Sequence, residues 1–465
     1  MTTTAGAEGA AGLLVDHALG LAWREIPEAA RTRTKLLLHD TLCVGVAGAV
    51  APNAAAIRSV AAFWGEGGQC SVLGQPGHLL PAPSAAFVNA FQIHCQEYDC
   101  VHEPAVLHPM ATIVAALLAE TDRGPWRTGE DFLTALIVGV DVAVALGLAA
   151  ITPLRFFRPA TAGVFGSVAA LARLRGLDRA TALDAMGYGL ALASGTMQAH
   201  LEGKPALPVQ VANAARSALV AVDLAVAGLK GPQASIDGPF GYLTLFEERF
   251  DLAPVLRDLA SVRRVTEVSW KAFPTGRAAQ GGLVAVGQLM SAHGVVGKAL
   301  KSLSFRAPPL IKRLVGRPAK ENMDVAYARL CLPWLAAVAL TFGEVRLGDF
   351  TPERLGDPAI LSLARRISVE ADGSMDPAAF TPLVARATMP SGEVSEVVIT
   401  AMLGAPSNPL TLEQHMEKAR RCLAHAGLEA AHAAFAERVL ALESAPDTRV
   451  ALAITPSEAR MADVR

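Results

Sequence analysis

The sequence has little charge, few aromatic residues and no closely paired cysteines. Charged residues make up 18% of the 465 residues and aromatic residues 5%, while 52% are hydrophobic. An average domain is about 25% charged. The net charge of −2, without a basic tail, argues against nucleic acid as a partner. Abundant alanine and glycine predict closely packed helices, and the mean hydropathy of +0.35 predicts apolar surface buried between subunits.

The cysteines and the apolar segments bear on the location of the protein. The six cysteines contain no Cys-x-x-Cys pair, which in a chain of this length predicts reduced, mostly buried thiols and a cytoplasmic protein. The first twelve residues lack the charged and apolar segments of a signal peptide. The most apolar run, 133–154, is interrupted by Asp141, so we expect a buried helix there and no membrane partner.

Several common catalytic motifs are also missing. The sequence has no Gly-x-Ser-x-Gly elbow, no phosphate-binding loop ending in Gly-Lys-Ser or Gly-Lys-Thr, and no dinucleotide fingerprint after a strand. Its cysteines do not form a set suited to an iron–sulfur cluster. These absences direct the search toward sites built from ordinary acid, base and cationic side chains.

The pattern of apolar residues predicts a mainly α fold. Helical spacing covers much of residues 12–230, with clear segments at 28–50, 131–150, 163–174 and 213–229, and Gly/Pro-rich loops at 65–82, 152–159 and 203–208. Further helices are predicted at 327–342 and, after a Thr411/Gln414 capping box, at 412–441. Alternation predicts strands at 302–305, 366–370, 383–388 and 394–400, the last two forming a hairpin. We therefore predict an all-helical domain (1–265 and 404–465) with an inserted, smaller α/β lid domain (266–403).

The densest group of ionisable residues lies in HCQEYDCVHEPAVLHPMA, at 94–111. It contains Glu97, Asp99, His102, Glu103 and His108. An acid can orient a histidine, and a histidine that is neutral near pH 7 can transfer protons. A metal site is disfavoured because no His-x-x-x-His or His-Glu-x-x-His spacing is present. We favour a substrate pocket without a metal, although a solvated loop would show the same composition.

His108 is the first candidate for proton transfer. Pro109 restricts the backbone of His108 and suits the start of the helix predicted at 110–118. His108 would then lie near a helix N-terminus, where anions are favoured. The alternative is a loop histidine that only caps the helix.

Two lysines lie in segments that otherwise have little charge. Lys204 stands between Gly203 and Pro205, and Lys271 lies in VSWKAFPTGR. Loss of hydration favours the neutral amine of a lysine. Arg277, in the same segment as Lys271, can offer its planar fork to a carboxylate. A solvated lysine and a surface arginine are the alternatives, but with His108 the set predicts a pocket for an anionic carbon acid.

These segments together resemble the MmgE/PrpD family, which includes 2-methylcitrate dehydratase, cis-aconitate decarboxylase and iminodisuccinate epimerase. The motifs that carry the resemblance are HDTLCVGVAGA (39–49), EYDCVHEPAVLHP (97–109), RPATAGVFGSVAAL (158–171), GKPALPVQVANAARSA (203–218), SIDGPFGY (235–242), VSWKAFPTGR (268–277) and SNPLT (407–411). The resemblance implies a helical domain with an α/β lid, an active site between them, a homodimer and no required cofactor. It also implies that His108, Lys204 and Lys271 are catalytic and that Asp99 contributes to the site.

The chain departs from the family pattern at several points. Decarboxylase-like members carry a histidine in the segment before RPATAG, where this chain has Phe156, Phe157 and Arg158. A tyrosine of the lid region is replaced near Trp334. The acidic stretch is one residue longer, which leaves the pairing of Glu97 and Asp99 with family positions open. Arg158 thus becomes a candidate for a carboxylate contact in place of an imidazole.

The reactions of these relatives share carbanion or enolate chemistry beside a carboxylate, which needs a nearby cation. On this reading His108 is the acid or base, and Lys204 and Lys271 stabilise the developing charge. The predicted substrate-binding residues are Asp99, His102, Arg158, Gln198 and Arg277. A hydro-lyase of a hydroxy di- or tricarboxylate is expected first, an epimerase or isomerase of a dicarboxylate second and a decarboxylase third. A non-catalytic, ligand-binding homologue is the alternative from another class.

Overall fold

A computed structural model describes residues 9–65, 67–376 and 378–454. Most of the segment searched for a signal peptide therefore lies outside the described residues. The helices are α1 Gly9–Gly20, α2 Glu28–Gly48, α3 Ala54–Phe63, α4 Ala82–His94, α5 Pro109–Arg123, α6 Gly129–Ala149, α7 Arg158–Thr161, α8 Gly163–Arg175, α9 Arg179–Leu192, α10 Gln198–Glu202, α11 Ala206–Val226, α12 Tyr242–Phe246, α13 Ala253–Asp258, α14 Arg277–His293, α15 Pro309–Val315, α16 Val325–Ala328, α17 Leu332–Phe342, α18 Pro352–Leu355, α19 Pro358–Ala364, α20 Leu412–His425, α21 His432–Leu440 and α22 Thr448–Leu452. The strands are β1 Cys70–Val72, β2 Gln75–Leu80, β3 Ser302–Ala307, β4 Ile367–Ala371, β5 Leu383–Thr388 and β6 Val394–Ile399.

The core of the fold is a group of closely packed helices. Helix α8 packs on α5 and α6, and α11 packs on α4, α8 and α9. Gly139 of α6 and Gly166 of α8 allow the close contact between α6 and α8. A Cβ atom added to Gly166 would lie 2.5 Å from the carbonyl oxygen of Gly139, closer than van der Waals contact permits. Small residues at these contacts thus allow the helix backbones to pack closely.

Among the described residues, α6 and α11 are long and apolar enough to cross a membrane, which by length and composition alone is weak evidence of a span. Nearly all of α6 is buried inside the protein. Its Asp141 accepts hydrogen bonds from the Arg263 guanidinium at 2.8 Å and the Arg264 backbone N–H at 2.7 Å. The helix predicted at 131–150 is therefore a core helix whose buried Asp141 carboxylate is compensated.

The mixed sheet has the strand order β4-β3-β5-β6. Strands β3 and β4 are parallel, while β3–β5 and β5–β6 are antiparallel, so the predicted hairpin is confirmed. Helix α14 packs on β5 and β6, and α15 and α17 pack on β4. After β6 the chain returns to the helical body, where α20 and α21 pack on α2. The mainly helical class is confirmed, and the division into a helical domain and a lid stays a prediction.

Three local predictions were wrong. The segment 65–82 contains the β1–β2 hairpin rather than only a loop, because Gly74, at φ 68°, supplies its turn. The single helix predicted at 412–441 is divided into α20 and α21, with Gly427 at φ 74° between them. The helix predicted at 327–342 is interrupted, and α17 begins with Leu332 and Pro333, where proline is favoured at the first turn.

Candidate active site

The site is built around the connection between α4 and α5. Helix α4 ends at His94, and His108 is the N-cap residue of α5 with Pro109 as the first helical residue. The His108 side chain makes no capping hydrogen bond to this helix. Instead, the intervening segment folds back and brings both histidines to Asp99. The His108 side chain therefore does not cap the helix but contacts Asp99.

One carboxylate oxygen connects the two histidines. Asp99 Oδ2 lies 2.9 Å from His94 Nδ1 and 3.1 Å from His108 Nδ1, and the ring centroids are 4.8 Å apart. Asp99 and His94 are buried, while 13% of the His108 side chain is exposed. A histidine bound at Nδ1 to a carboxylate keeps Nε2 available for proton transfer. We call His94, Glu97, Asp99, His108 and Lys271 the cleft cluster.

Lys271 supplies the fixed cation of this cluster. It is fully buried, and its Nζ donates hydrogen bonds to the Glu97 backbone oxygen at 3.0 Å and to Glu97 Oε2 at 3.1 Å. The same Nζ lies 3.6 Å from Asp99 Oδ1. An antiparallel bridge between Val101 and Ser269 holds its segment beside the acidic stretch. Lys271 therefore lies next to the Asp99 carboxylate that binds His108, and its catalytic role stays a prediction.

The pKa shifts of the cluster follow from burial and from these contacts. Burial alone would raise the pKa of Asp99, but His108, His94 and Lys271 outweigh burial and hold it well below its usual range. The pKa of Glu97 falls to about 2 because Lys271 and His94 outweigh its burial. These two carboxylates are therefore ionised at neutral pH.

The two histidines shift in opposite directions. Burial would lower the pKa of His94, but Asp99 and Glu97 raise it overall. Burial lowers the pKa of His108, and Lys271 adds to this effect while Asp99 opposes it. The pair thus consists of a His94 that tends to be protonated and a His108 that tends to be neutral.

His94, Asp99 and His108 also offer three potential metal ligands within 4.8 Å of one another. The contacts of 2.9 and 3.1 Å are hydrogen-bond distances. The Lys271 ammonium beside Asp99 would repel a metal cation at this position. We therefore interpret the group as a hydrogen-bonded network, and a site without a metal stays a prediction.

The cleft that His108 faces has a volume of about 60 Å³. From the helical body it is lined by Glu97, Val101, Val106, His108, Leu154, Phe157, Pro159, Met197 and His200, and from the following part of the chain by Gly276, Arg277, Ala278, Leu314, Val315, Leu330 and Phe380. Most of these side chains are apolar and a few are ionisable, which is the usual composition of a small-molecule site.

Arg277 reaches this cleft but is engaged by protein groups. Its Nε donates to Glu103 Oε1 at 2.8 Å, and its Nη1 donates to the backbone oxygens of Trp270 and Leu403. Burial lowers the pKa of Arg277 and Glu103 partly restores it. Arg277 thus places positive charge at the cleft wall, although Glu103 competes with any substrate carboxylate.

Lys204 and Gln198 are not among the described residues that line the His108 cleft. Lys204 Nζ lies 2.6 Å from Asp324 Oδ2, and 54% of its side chain is exposed. Gln198 donates to Glu202 within the short helix α10. The sequence pattern around the two lysines is similar, but the structure brings only Lys271 to His108.

Arg158 and His102 face other partners. The Arg158 guanidinium makes two hydrogen bonds to Glu247, at 2.8 and 3.0 Å, and is buried. His102 Nε2 lies 3.0 Å from Glu267 Oε2, and its Nδ1 accepts the Ala105 backbone N–H at 3.2 Å. Both side chains are buried against these partners and neither lines the His108 cleft, so we leave Arg158 and His102 out of the proposed substrate site.

The two positions that depart from the family pattern lie in different places. Phe157 lines the cleft, and its ring centroid is 6.0 Å from that of His94. Trp334 is fully buried in α17 against Phe350 and is not among the residues that line the cleft. Phe157 is therefore the departure that changes the chemistry of the site.

No role was assigned from the sequence to three residues of the site, namely His94, Glu97 and His200. His94 lies at the end of an apolar helix, and Glu97 was left open as an alternative to Asp99. His200 lines the cleft, and burial together with Arg317 lowers its pKa to about 4. The signal for His94 was its place in the same dense stretch, but its spacing from Asp99 matches no established motif.

Comparison with protein families defines the class of the protein. Residues 13–254 match the MmgE/PrpD N-terminal domain, and residues 273–444 match the MmgE/PrpD C-terminal domain. The chain belongs to the MmgE/PrpD family, as its motifs predicted.

The chain is also similar to individual characterised relatives. It is 26% identical over 354 residues to cis-aconitate decarboxylase of Homo sapiens, with 73% of this chain and 72% of that protein covered. The corresponding Mus musculus enzyme is 24% identical, with 76% and 73% covered. A cis-aconitate decarboxylase-like protein, oryM, of Aspergillus oryzae is 27% identical, with 93% and 94% covered. These similarities make an enzyme of the dehydratase or decarboxylase type plausible without specifying its reaction.

Proposed function

We propose that this chain is a cofactor-independent hydro-lyase that dehydrates a small hydroxy di- or tricarboxylic acid. The observation that carries the proposal is the His108 imidazole, bound at Nδ1 to the buried Asp99 carboxylate at 3.1 Å and bordering the cleft. A carboxylate in this position fixes the tautomer of the imidazole and stabilises the imidazolium that forms when a proton is taken.

In the proposed reaction, His108 Nε2 removes the proton from the carbon next to a substrate carboxylate. The electron pair of the C–H bond becomes the carbon–carbon double bond, and the C–O bond to the hydroxyl group breaks. The hydroxyl leaves as water with the proton that His108 has taken, so His108 returns to its neutral form. One positioned acid or base typically contributes about 10²–10⁴-fold.

We assign the rest of the rate acceleration to cationic side chains placed near the reacting carbon. Negative charge that spreads from the carbon onto the neighbouring carboxylate is stabilised by cations held in a site with little water. Lys271 is fully buried beside the His108–Asp99 pair, and Arg277 lies at the cleft wall. We assign to Lys204 the binding of a substrate carboxylate, which would require its ammonium to exchange Asp324 for the substrate.

The second candidate is a decarboxylase, which the names of the similar proteins favour. Phe157 lines the cleft where decarboxylase-like members are expected to carry a histidine. A phenylalanine has no proton to exchange, which disfavours decarboxylation. An epimerase needs two proton-transfer groups on opposite faces of a carbon. His108 and Lys271 instead lie beside the same carboxylate, Asp99, so we rank epimerisation below elimination.

The test is incubation of the protein with a panel of citrate-like and aspartate-like acids in deuterated water. We expect new alkene absorbance with one hydroxy acid, and the His108→Gln protein, which should reduce the rate about 10²–10⁴-fold, controls for contaminating activity. Carbon dioxide release without alkene formation from a hydroxy acid would replace the hydro-lyase by the decarboxylase. Deuterium exchange without net product would indicate an epimerase, and no reaction with any acid would favour a ligand-binding role.

A further inference from the structure

We propose that His94 is a positioning residue that holds a positive charge on the buried side of Asp99 and thereby keeps His108 neutral and ready to accept a proton. The inference deepens the proposed function, because it rests on His108 as the base. Its starting point is that two imidazoles share a single carboxylate oxygen, Asp99 Oδ2, at 2.9 and 3.1 Å.

The shared oxygen fixes where the protons of both rings lie. A carboxylate oxygen only accepts, so each histidine must carry a hydrogen on Nδ1 to make its contact. His108 Nε2 then belongs to the ring edge at the cleft. His94 Nε2 is buried, has no hydrogen-bond partner among the described residues, and has Glu97 Oε1 at 3.9 Å. A second proton on His94 would therefore face a carboxylate on either side of the ring.

The charges in contact require one further cation. Glu97 and Asp99 contribute two negative charges, and Lys271 contributes one positive charge within 3.1 and 3.6 Å of them. An unbalanced charge in a buried site is unfavourable, so one of the two imidazoles should be protonated. The groups that act on His108 are Asp99, Lys271, His94 and Glu97, and the cleft also carries His200 and Arg277.

His94 is the better place for this charge. It is enclosed between Asp99 and Glu97, and its pKa is raised despite complete burial, whereas the pKa of His108 is lowered. Loss of the His94 charge would leave Lys271 as the cation in contact with both carboxylates, with Arg329 and Arg317 acting on Glu97 from outside this group. His108 would then bind the missing proton near neutral pH and cease to be a base. A purely structural role for His94 predicts no change in the protonation of His108.

The experiment uses His94→Asn in the full chain. The asparagine amide nitrogen occupies the position of Nδ1, so it can still donate to Asp99, but it carries no charge. Diethyl pyrocarbonate modifies only the unprotonated imidazole, and peptide mass spectrometry measures its reaction with His108 as a function of pH. We expect the half-maximal pH of His108 modification to rise by about one unit, in keeping with the loss of one nearby charge.

His17→Gln is the matched control. His17 Nε2 lies 3.1 Å from the buried Asp141 carboxylate, a comparable contact outside the cleft, so this variant should leave the His108 titration unchanged. If His94→Asn does not fold, as judged by its melting transition, His94→Gln replaces it. An unchanged or lowered half-maximal pH in the folded variant would overturn the inference. Because the measurement needs no substrate, this result is separate from failure of the substrate panel, which would overturn the proposed function.

Discussion

Among the described residues, two groups of neighbouring histidines lie in or beside the core, and they differ in whether a carboxylate contacts them. In the cleft cluster, His94 and His108 share Asp99. In the second group, which we call the core histidine cluster (His39, His415 and His432), His39 Nδ1 lies 3.0 Å from His415 Nε2 and the rings of His39 and His432 are 6.3 Å apart. The hydrogen bonds described for His39 and His415 include no carboxylate.

The presence of a carboxylate distinguishes a histidine that can exchange protons from one that only packs in the core. Burial without a counter-charge lowers the pKa of His39 to about 4 and that of His415 to about 3, and neighbouring positive groups reinforce this effect. Such rings stay neutral and join α2 to α20 as part of the core. In the cleft cluster, the same burial is opposed by Asp99, so a proton can be held on one ring and exchanged by the other. Histidine burial alone is therefore no indication of a catalytic site.

The strongest test of this difference removes the fixed cation of the cleft cluster. Lys271→Met leaves Glu97 and Asp99 buried with too little positive charge, and breaking a buried ion pair in this way typically costs about 3–5 kcal/mol. We expect a loss of that size in the free energy of unfolding, measured with urea at pH 7. The core histidine cluster needs no cation, so its contacts should persist in the folded variant.

His415→Gln provides the comparison for this measurement, because the glutamine amide can replace the His415 Nε2 contact to His39 without a change of charge. Its loss should be smaller than that of Lys271→Met at pH 7. A loss below about 1 kcal/mol for Lys271→Met, the size expected of an exposed pair, would show that the cleft carboxylates do not depend on this ammonium.

A second prediction concerns acid stability, where His39 and Glu97 act in different pH ranges. The unfolded chain binds protons at His39 and His415 below about pH 6.5, whereas the folded chain holds His39 neutral down to about pH 4. Stability therefore decreases as the pH falls from about 6.5 toward 4, by roughly 3 kcal/mol for a shift of this size at one histidine. Glu97, with its pKa lowered to about 2, contributes stability that is lost only as the pH falls below about 4.5.

Urea unfolding at several pH values measures both contributions. His415→Gln should reduce the slope of stability against pH between 6.5 and 4, because one buried titrating ring is gone. Glu97→Gln should alter stability below about pH 4.5, where the Glu97 carboxylate becomes protonated in the unfolded chain. Equal slopes for the wild-type protein and His415→Gln would contradict the neutral, structural interpretation of the core histidine cluster.

The sequence predicted those parts of the site whose signal is local. His108, Asp99 and Lys271 stand in charged or apolar surroundings that their own segments define, and strand β5 follows from alternation beside a turn. Other features depend on partners far along the chain. Arg158 is a candidate substrate ligand in the sequence but binds Glu247 in the structure. Because Glu247 is 89 residues away, no local pattern reveals this contact. His94 was missed because its contact with Asp99 requires a reversal of the backbone, with Glu97 at φ 50°.

The smallest expected effect on stability separates the two lysines, which the sequence could not distinguish. Lys204→Met breaks only an exposed pair with Asp324, and such pairs contribute little to stability. The free energy of unfolding should therefore change far less than for Lys271→Met. Because the fold is retained, turnover directly measures the role of Lys204. We expect Lys204→Met to lose turnover of the acid identified in the panel, because methionine has no ammonium that could leave Asp324 and bind a substrate carboxylate.

Asp324→Asn is the matched control, since it removes the competing carboxylate without removing the cation and should preserve turnover. Full activity of Lys204→Met would remove Lys204 from the mechanism and leave the cleft cluster, with Lys271 as its fixed cation, as the whole of the catalytic site.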